Sequence, residues 1–103
     1  MGNLKAPFRP VHPGELLKDE LSYRKISQKQ FAKTLGLSYT AFNEILNGKR
    51  PVSADFALYM ETSLGIPARI LVEMQADYNL EVAKNDSQLI KRLKEIRKTA
   101  SMF

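Results

Sequence analysis

The chain has no cysteine and no tryptophan, and only one histidine, His12. Without thiols there is no disulfide and no thiolate metal site, and a single imidazole is too few to build a zinc centre. One histidine near a chain end also gives no basis for a Ser–His–Asp arrangement. The residues therefore point away from an enzyme and away from any metal or cofactor. No apolar run approaches the roughly 18 residues that cross a bilayer, and the opening MGNLKAPFRPVHPGE lacks the apolar stretch of a secretory signal. A cytoplasmic protein without a membrane partner is the expectation. Strand-like alternation of useful length is missing as well, which leaves an all-α fold as the expected class.

What is present is ordinary in amount and uneven in distribution. The 103 residues are 44% hydrophobic and 26% charged, enough for one domain with a modest core. The net charge of +5 is not spread evenly. Basic and acidic residues balance up to residue 23. Residues 24–50 then carry Arg24, Lys25, Lys29, Lys33, Lys49 and Arg50 against Glu44 alone. Acids predominate over residues 51–86, among them Glu61, Glu73, Asp77 and Glu81. Residues 87–103 turn basic again through Lys91, Arg92, Lys94, Arg97 and Lys98.

Residues 27–50, SQKQFAKTLGLSYTAFNEILNGKR, hold the densest set of local signals. Ser27 is placed to cap a helix, with Gln30 three residues on to complete a capping box and Ile26 and Phe31 at the spacing of a hydrophobic staple. Gly36 follows the last apolar residue, Leu35, and suits a left-handed helix end. Ser38 caps a second helix, and Leu37 and Phe42 repeat the staple spacing. Only Gly36 and Leu37 separate the first helix from the second cap, so the two helices cross sharply. The second helix is predicted over about Tyr39 to Asn47, with Ala41, Phe42, Ile45 and Leu46 inward and Tyr39, Thr40, Asn43, Glu44 and Asn47 outward. Gly48 and Pro51 stop it. Two short helices, the second with a polar outer face and a basic edge, form the layout of a helix-turn-helix reader of duplex DNA.

Around this pair the pattern predicts further helices. His12 caps a first one, with Pro13 at its first position, Glu15 near its positive end and Leu16, Leu17 and Leu21 buried. Ser53 caps a fourth, with Phe56, Leu58, Tyr59 and Met60 largely inward and Gly65 at its end. Pro67 opens a fifth through about Ala83, whose apolar members are Ile70, Leu71, Met74, Tyr78 and Leu80. A sixth begins near Asn85 or Asp86 and runs to about Thr99, with a narrow stripe of Leu89, Leu93, Ile96 and Ala100 among basic residues. The expected division is a flexible arm over residues 1–11, a helix-turn-helix domain over 12–84 and a basic amphipathic helix over 85–103. The stripe fits three readings alike: a helix extending a dimer, a helix covering a protein partner, or a basic tail on DNA.

Gln28, Ala32, Gly36 and the run NGKR at 47–50 resemble the lambda repressor and Cro-like family of helix-turn-helix domains. HPGE at 12–15, NEILNGKRPVSAD at 43–55 and QADYNLEVA at 75–83 narrow the resemblance to the HigA-type antitoxins of bacterial toxin–antitoxin pairs. It implies a five-helix lambda-repressor-like domain in a homodimer. Such a dimer represses its own operon at an inverted-repeat operator and silences a small, basic RelE-like ribonuclease. It also implies that Gln28 and Ser38 bind phosphate, that Tyr39, Thr40 and Asn43 reach base edges, and that Asn47, Lys49 and Arg50 hold the DNA backbone. The residue types agree independently. Asn can pair with adenine at two points, Thr can meet a thymine methyl or a base acceptor, and Lys49 and Arg50 lie at the helix edge where phosphates pass. Glu44 fits better as a partner for a neighbouring cation than as a base reader. The acids at Glu61, Glu73, Asp77 and Glu81 suit a basic toxin better than the basic last helix does. Two other readings stay open, a repressor without a toxin and a module that binds only protein.

Overall fold

A computed structural model describes residues 10–103. Most of the arm expected over residues 1–11 lies outside the described residues. Six helices follow in order: α1 (Pro13–Tyr23), α2 (Gln28–Thr34), α3 (Tyr39–Leu46), α4 (Ala54–Leu64), α5 (Ala68–Lys84) and α6 (Ser87–Ala100). Among the described residues there is no strand.

The starts of these helices follow from their caps. The Nδ1 of His12 accepts from the Gly14 N–H at 2.9 Å, Ser27 Oγ from Gln30 at 3.2 Å, Ser38 Oγ from Ala41 at 3.3 Å and Ser53 Oγ from Phe56 at 3.1 Å. Asp86 caps α6 by accepting from Gln88 and Leu89. Pro67 has no cap to give α5, and Glu61 supplies it from α4, its Oε2 accepting from the Ala68 N–H at 2.9 Å. The capping box expected at Ser27 is only half made. The Gln30 amide nitrogen turns forward to Thr34 Oγ1 at 3.4 Å, away from the Ser27 N–H.

Three successive helices end alike. After α2, Gly36 takes φ +69°, its N–H donates to Lys33, and the Leu37 N–H donates to Ala32 at 2.8 Å. This pair of hydrogen bonds reverses the chain within two residues and sets the sharp crossing onto α3. Gly48 closes α3 in the same way, through Ile45 and Glu44. At α1 the left-handed position is held by Lys25, at φ 59°, where a side chain is unfavourable.

The core is continuous through Leu17 and Leu21 of α1, Ala32 of α2, Phe42, Ile45 and Leu46 of α3, Val52, Phe56, Ala57, Met60 and Leu64 around α4, and Leu71 of α5. Phe42 stands at its centre, with ring centroids 5.7 Å from Phe31 and 5.9 Å from Phe56. Ala32 is fully buried, and its small side chain lets α2 press on α3.

Several expected core positions face outward. Leu58 and Tyr59 are 52% and 48% exposed, because Phe56, Ala57, Met60 and Leu64 occupy the inward phase of α4 and the residues between fall opposite. On α5 only Leu71 and Gln75 are buried, and Ile70 and Leu80 are exposed. No residue of α6 is buried, so its apolar stripe of Leu89, Ile90, Leu93 and Ile96 stays open. Among the described residues no helix is long and apolar enough to cross a membrane.

Candidate nucleic-acid interface

The outer face of α3 is built from behind. Phe42, Ile45 and Leu46 anchor one side of an eight-residue helix in the core, which leaves Tyr39, Thr40, Asn43 and Asn47 on the other. Tyr39 is 43% exposed, Thr40 is exposed and Asn43 is half-buried. The side chains of Tyr39 and Thr40 make no hydrogen bond with other described residues, so their polar atoms remain available. Ser38, beside them, accepts from Ala41 and keeps its own hydroxyl proton to donate. Gln28, the first residue of α2, lies half-buried beside α1, lining a shallow cavity with Lys18, Asp19 and Ser22.

At the far end of α3 the polar side chains are tied together. Asn47 Nδ2 donates to the Asn43 carbonyl oxygen at 2.9 Å and to Asn43 Oδ1 at 3.2 Å. Asn47 Oδ1 accepts from Lys18 Nζ at 2.9 Å. Arg50 is held by Glu44, whose Oε1 accepts from Nη2 at 2.8 Å and from Nε at 3.1 Å. Glu44 thus orients a cation, as its residue type suggests. Lys49 is exposed and, among the described residues, in no ion pair. The basic block of residues 24–50 is not all at this face. Arg24 pairs with Glu20 at 2.9 Å and donates to the Leu64 carbonyl at 2.8 Å, fastening α1 to the end of α4. Lys25, Lys29, Lys33 and Lys49 are the members of that block free of ion pairs among the described residues.

Behind the reading face three distant stretches meet. His12 is 3% exposed, its ring edge-on to Tyr78 of α5 with centroids 4.9 Å apart. It also lines one hollow with Gly48, Arg50 and Gln75. Burial lowers its pKa, while the polar Arg50 backbone and the Glu15 charge pull the other way. Gln75 is buried, its Oε1 accepting from the Val52 N–H at 2.8 Å and its Nε2 donating to Asn79 at 2.9 Å. Gly14 brings α1 so close to α3 that a Cβ there would collide with the Ile45 carbonyl oxygen. HPGE, NGKRPVS and QADYN are therefore the three sides of one junction that fixes the C-terminal end of α3. Lys18 was not legible as part of this site, since it falls in the charge-balanced first stretch and only the folding of α1 over α3 brings it to Asn47.

Two of the acids expected to face a partner are engaged within the chain. Glu61 caps α5, and Glu81 is half-buried and pairs with Lys84 at 3.5 Å. Glu73 and Asp77 remain exposed on α5. Among the described residues no cluster of His, Cys, Asp and Glu could hold a metal ion.

A five-helix core with a helix-turn-helix whose second helix is polar outside and flanked by cations defines the class, a lambda-repressor-like helix-turn-helix protein. No protein-family model matches the chain. The chain is similar to virulence-associated protein I of Dichelobacter nodosus, with 37% identity over 81 residues that cover 78% of this chain and 75% of that protein. It is also similar to an addiction-module antidote protein of the HigA family from Coxiella burnetii, at 36% identity and a TM-score of 0.71, covering 88% of this chain and 95% of that one. Pseudomonas aeruginosa antitoxin HigA, solved with the higBA promoter, shares 32% identity at a TM-score of 0.74, covering 84% of this chain and 94% of its own. The chain belongs to the HigA family of antitoxins.

Proposed function

We propose that this protein is the antitoxin of a type II toxin–antitoxin pair, and that it represses its own operon as a sequence-specific DNA-binding homodimer while neutralising a RelE-like, mRNA-cleaving toxin by direct binding. The observation that carries the DNA half is the outer face of α3. It is backed by core residues, open at Tyr39 and Thr40, and edged by Lys49 and Arg50. Tyr39, Thr40 and Asn43 read base edges, and Gln28, Ser38, Asn47, Lys49 and Arg50 position the DNA backbone. Residues 12–84 form the reading domain and 85–103 a distinct basic helix. In the dimer two reading helices stand about 34 Å apart, one turn of duplex, which calls for an inverted-repeat operator. Similarity to a HigA solved with its promoter supports this reading.

Exposed Glu73 and Asp77 on α5 supply the charge that a basic toxin would meet. The open stripe of α6, set among Lys and Arg, is a poor electrostatic complement to such a toxin. The test has two parts. Gel-shift titration with the chain's own promoter should give a complex that random duplex does not compete away. Co-expression with the product of the adjacent reading frame should yield a co-purifying complex in which that product's ribonuclease activity is suppressed. Promoter binding without a toxin complex would leave a simple repressor, and a complex without promoter binding would leave a protein-interaction module.

A further inference from the structure

We propose that Lys18, on α1 and outside the helix-turn-helix, sets the base preference of Asn43 by fixing the orientation of Asn47. The proposal rests on the reading of α3 as the helix that enters DNA. Lys18 Nζ donates to Asn47 Oδ1 at 2.9 Å. An ammonium has three donors and no acceptor, so it can face only the oxygen of a carboxamide. That choice turns Asn47 Nδ2 toward α3, where it meets two acceptors, the Asn43 carbonyl oxygen at 2.9 Å and Asn43 Oδ1 at 3.2 Å. A half-turn of the Asn47 amide would set N–H against ammonium and oxygen against two oxygens. All three contacts would become repulsive.

The consequence is felt at Asn43. With Oδ1 accepting from Asn47, the Asn43 amide is held with its nitrogen directed away from that bond. A half-buried side chain so restrained offers its N–H donors first. The matching base edge is an acceptor in the major groove, a purine N7, guanine O6 or thymine O4, and the remaining lone pair of Oδ1 can take an adenine amino hydrogen. Without Lys18 the Asn47 amide can rotate and Asn43 can present either end, so donor and acceptor edges become equivalent to it. Lys18 is a positioning residue. It does not touch a base.

The test is Lys18→Met, which keeps the apolar stem and removes the donors at an exposed position. Fluorescence anisotropy over a range of salt would compare wild type, Lys18→Met, Asn43→Ala and the double variant. The duplexes would be the native promoter, its single-base variants and a random sequence. Lys18→Met is expected to lower discrimination roughly five- to tenfold at the base pair where Asn43→Ala loses it, the lower end of what one such contact provides. Random-duplex affinity and salt slope should be unchanged, and the double variant should match Asn43→Ala. Equal weakening on every duplex, with the salt slope reduced by about one, would make Lys18 a plain phosphate contact and overturn the proposal. Unchanged discrimination would overturn it too. In the DNA-free protein, NMR should show the side-chain amide resonances of Asn43 and Asn47 moving together on Lys18→Met. Unmoved resonances overturn the relay alone, whereas a wild type that cannot tell its promoter from random duplex overturns the reader assignment beneath it.

Discussion

Replacing Gly14 with alanine sets two elementary effects against each other. Gly14 is the second residue of α1, and helix propensity alone favours alanine there by about 1 kcal/mol. Packing opposes it. The new Cβ would fall inside contact of the Ile45 carbonyl oxygen and sit 3.0 Å from the Ile45 carbonyl carbon and from His12 Nδ1. Overpacking a close contact costs about 1–3 kcal/mol, and the obstacle here is backbone, which cannot rotate aside. The same carbonyl accepts the Gly48 N–H at 3.1 Å and so closes the end of α3. Relief therefore requires α1 to back away or the last turn of α3 to open. Taking the upper end of the packing cost, the net loss is about 2 kcal/mol, which for a domain of this size lowers Tm by roughly 8–16 °C. Thermal melts followed by far-UV circular dichroism measure it, and promoter binding tested well below both melting points should also weaken. An unchanged or raised Tm would mean that α1 does not press on α3 as closely as described, and the physical explanation offered for the HPGE motif would fail.

Three further outcomes are expected. His12 is neutral in the fold, and protonation at Nδ1 would remove the acceptor for Gly14. Its folded pKa lies below the ordinary 6.5, so the stability it adds is full above that value and is lost as pH falls through its folded pKa. Asn at position 12 caps without titrating, so urea midpoints of His12→Asn should fall less between neutral and mildly acidic pH, and parallel curves would refute the assignment. Lys25→Gly should raise stability by about 1 kcal/mol by releasing a left-handed side chain, and a lowered urea midpoint would show that the Lys25 side chain contributes more than its backbone strain removes. Gln75→Leu leaves the buried Val52 N–H without its acceptor and should cost about 1–3 kcal/mol, and hydrogen exchange at the Val52 amide should quicken, whereas unchanged protection would contradict the bond.

The helix-turn-helix was legible because its signals are local. Ser27, Gly36, Ser38 and Gly48 act within three or four residues of themselves, and each does in the fold what its position implies. The apolar phases of α4 and α5 were less legible. Leu58, Tyr59, Ile70 and Leu80 are as apolar as their buried neighbours, and only the placement of α4 and α5 against the rest decides which side is covered. Long-range polar contacts left no mark in the pattern. Nothing in the sequence joins Lys18 to Asn47, 29 residues apart, or Gln75 to Val52, 23 apart. The three blocks that carried the family resemblance could be recognised, but the reason for them, a shared junction around His12, Arg50 and Gln75, needed the fold.

The outward face of α3 is the element on which the function depends. The direct test is anisotropy titration of the native promoter and a random duplex with a variant carrying Tyr39→Ala, Thr40→Ala and Asn43→Ala together. Exposed or half-buried, these positions should leave the fold intact. Promoter affinity should fall to the level of random duplex, while the salt-dependent, non-specific binding supplied by the lysines persists. A variant that still prefers its promoter as strongly as the wild type would contradict the assignment of α3 as the reading helix.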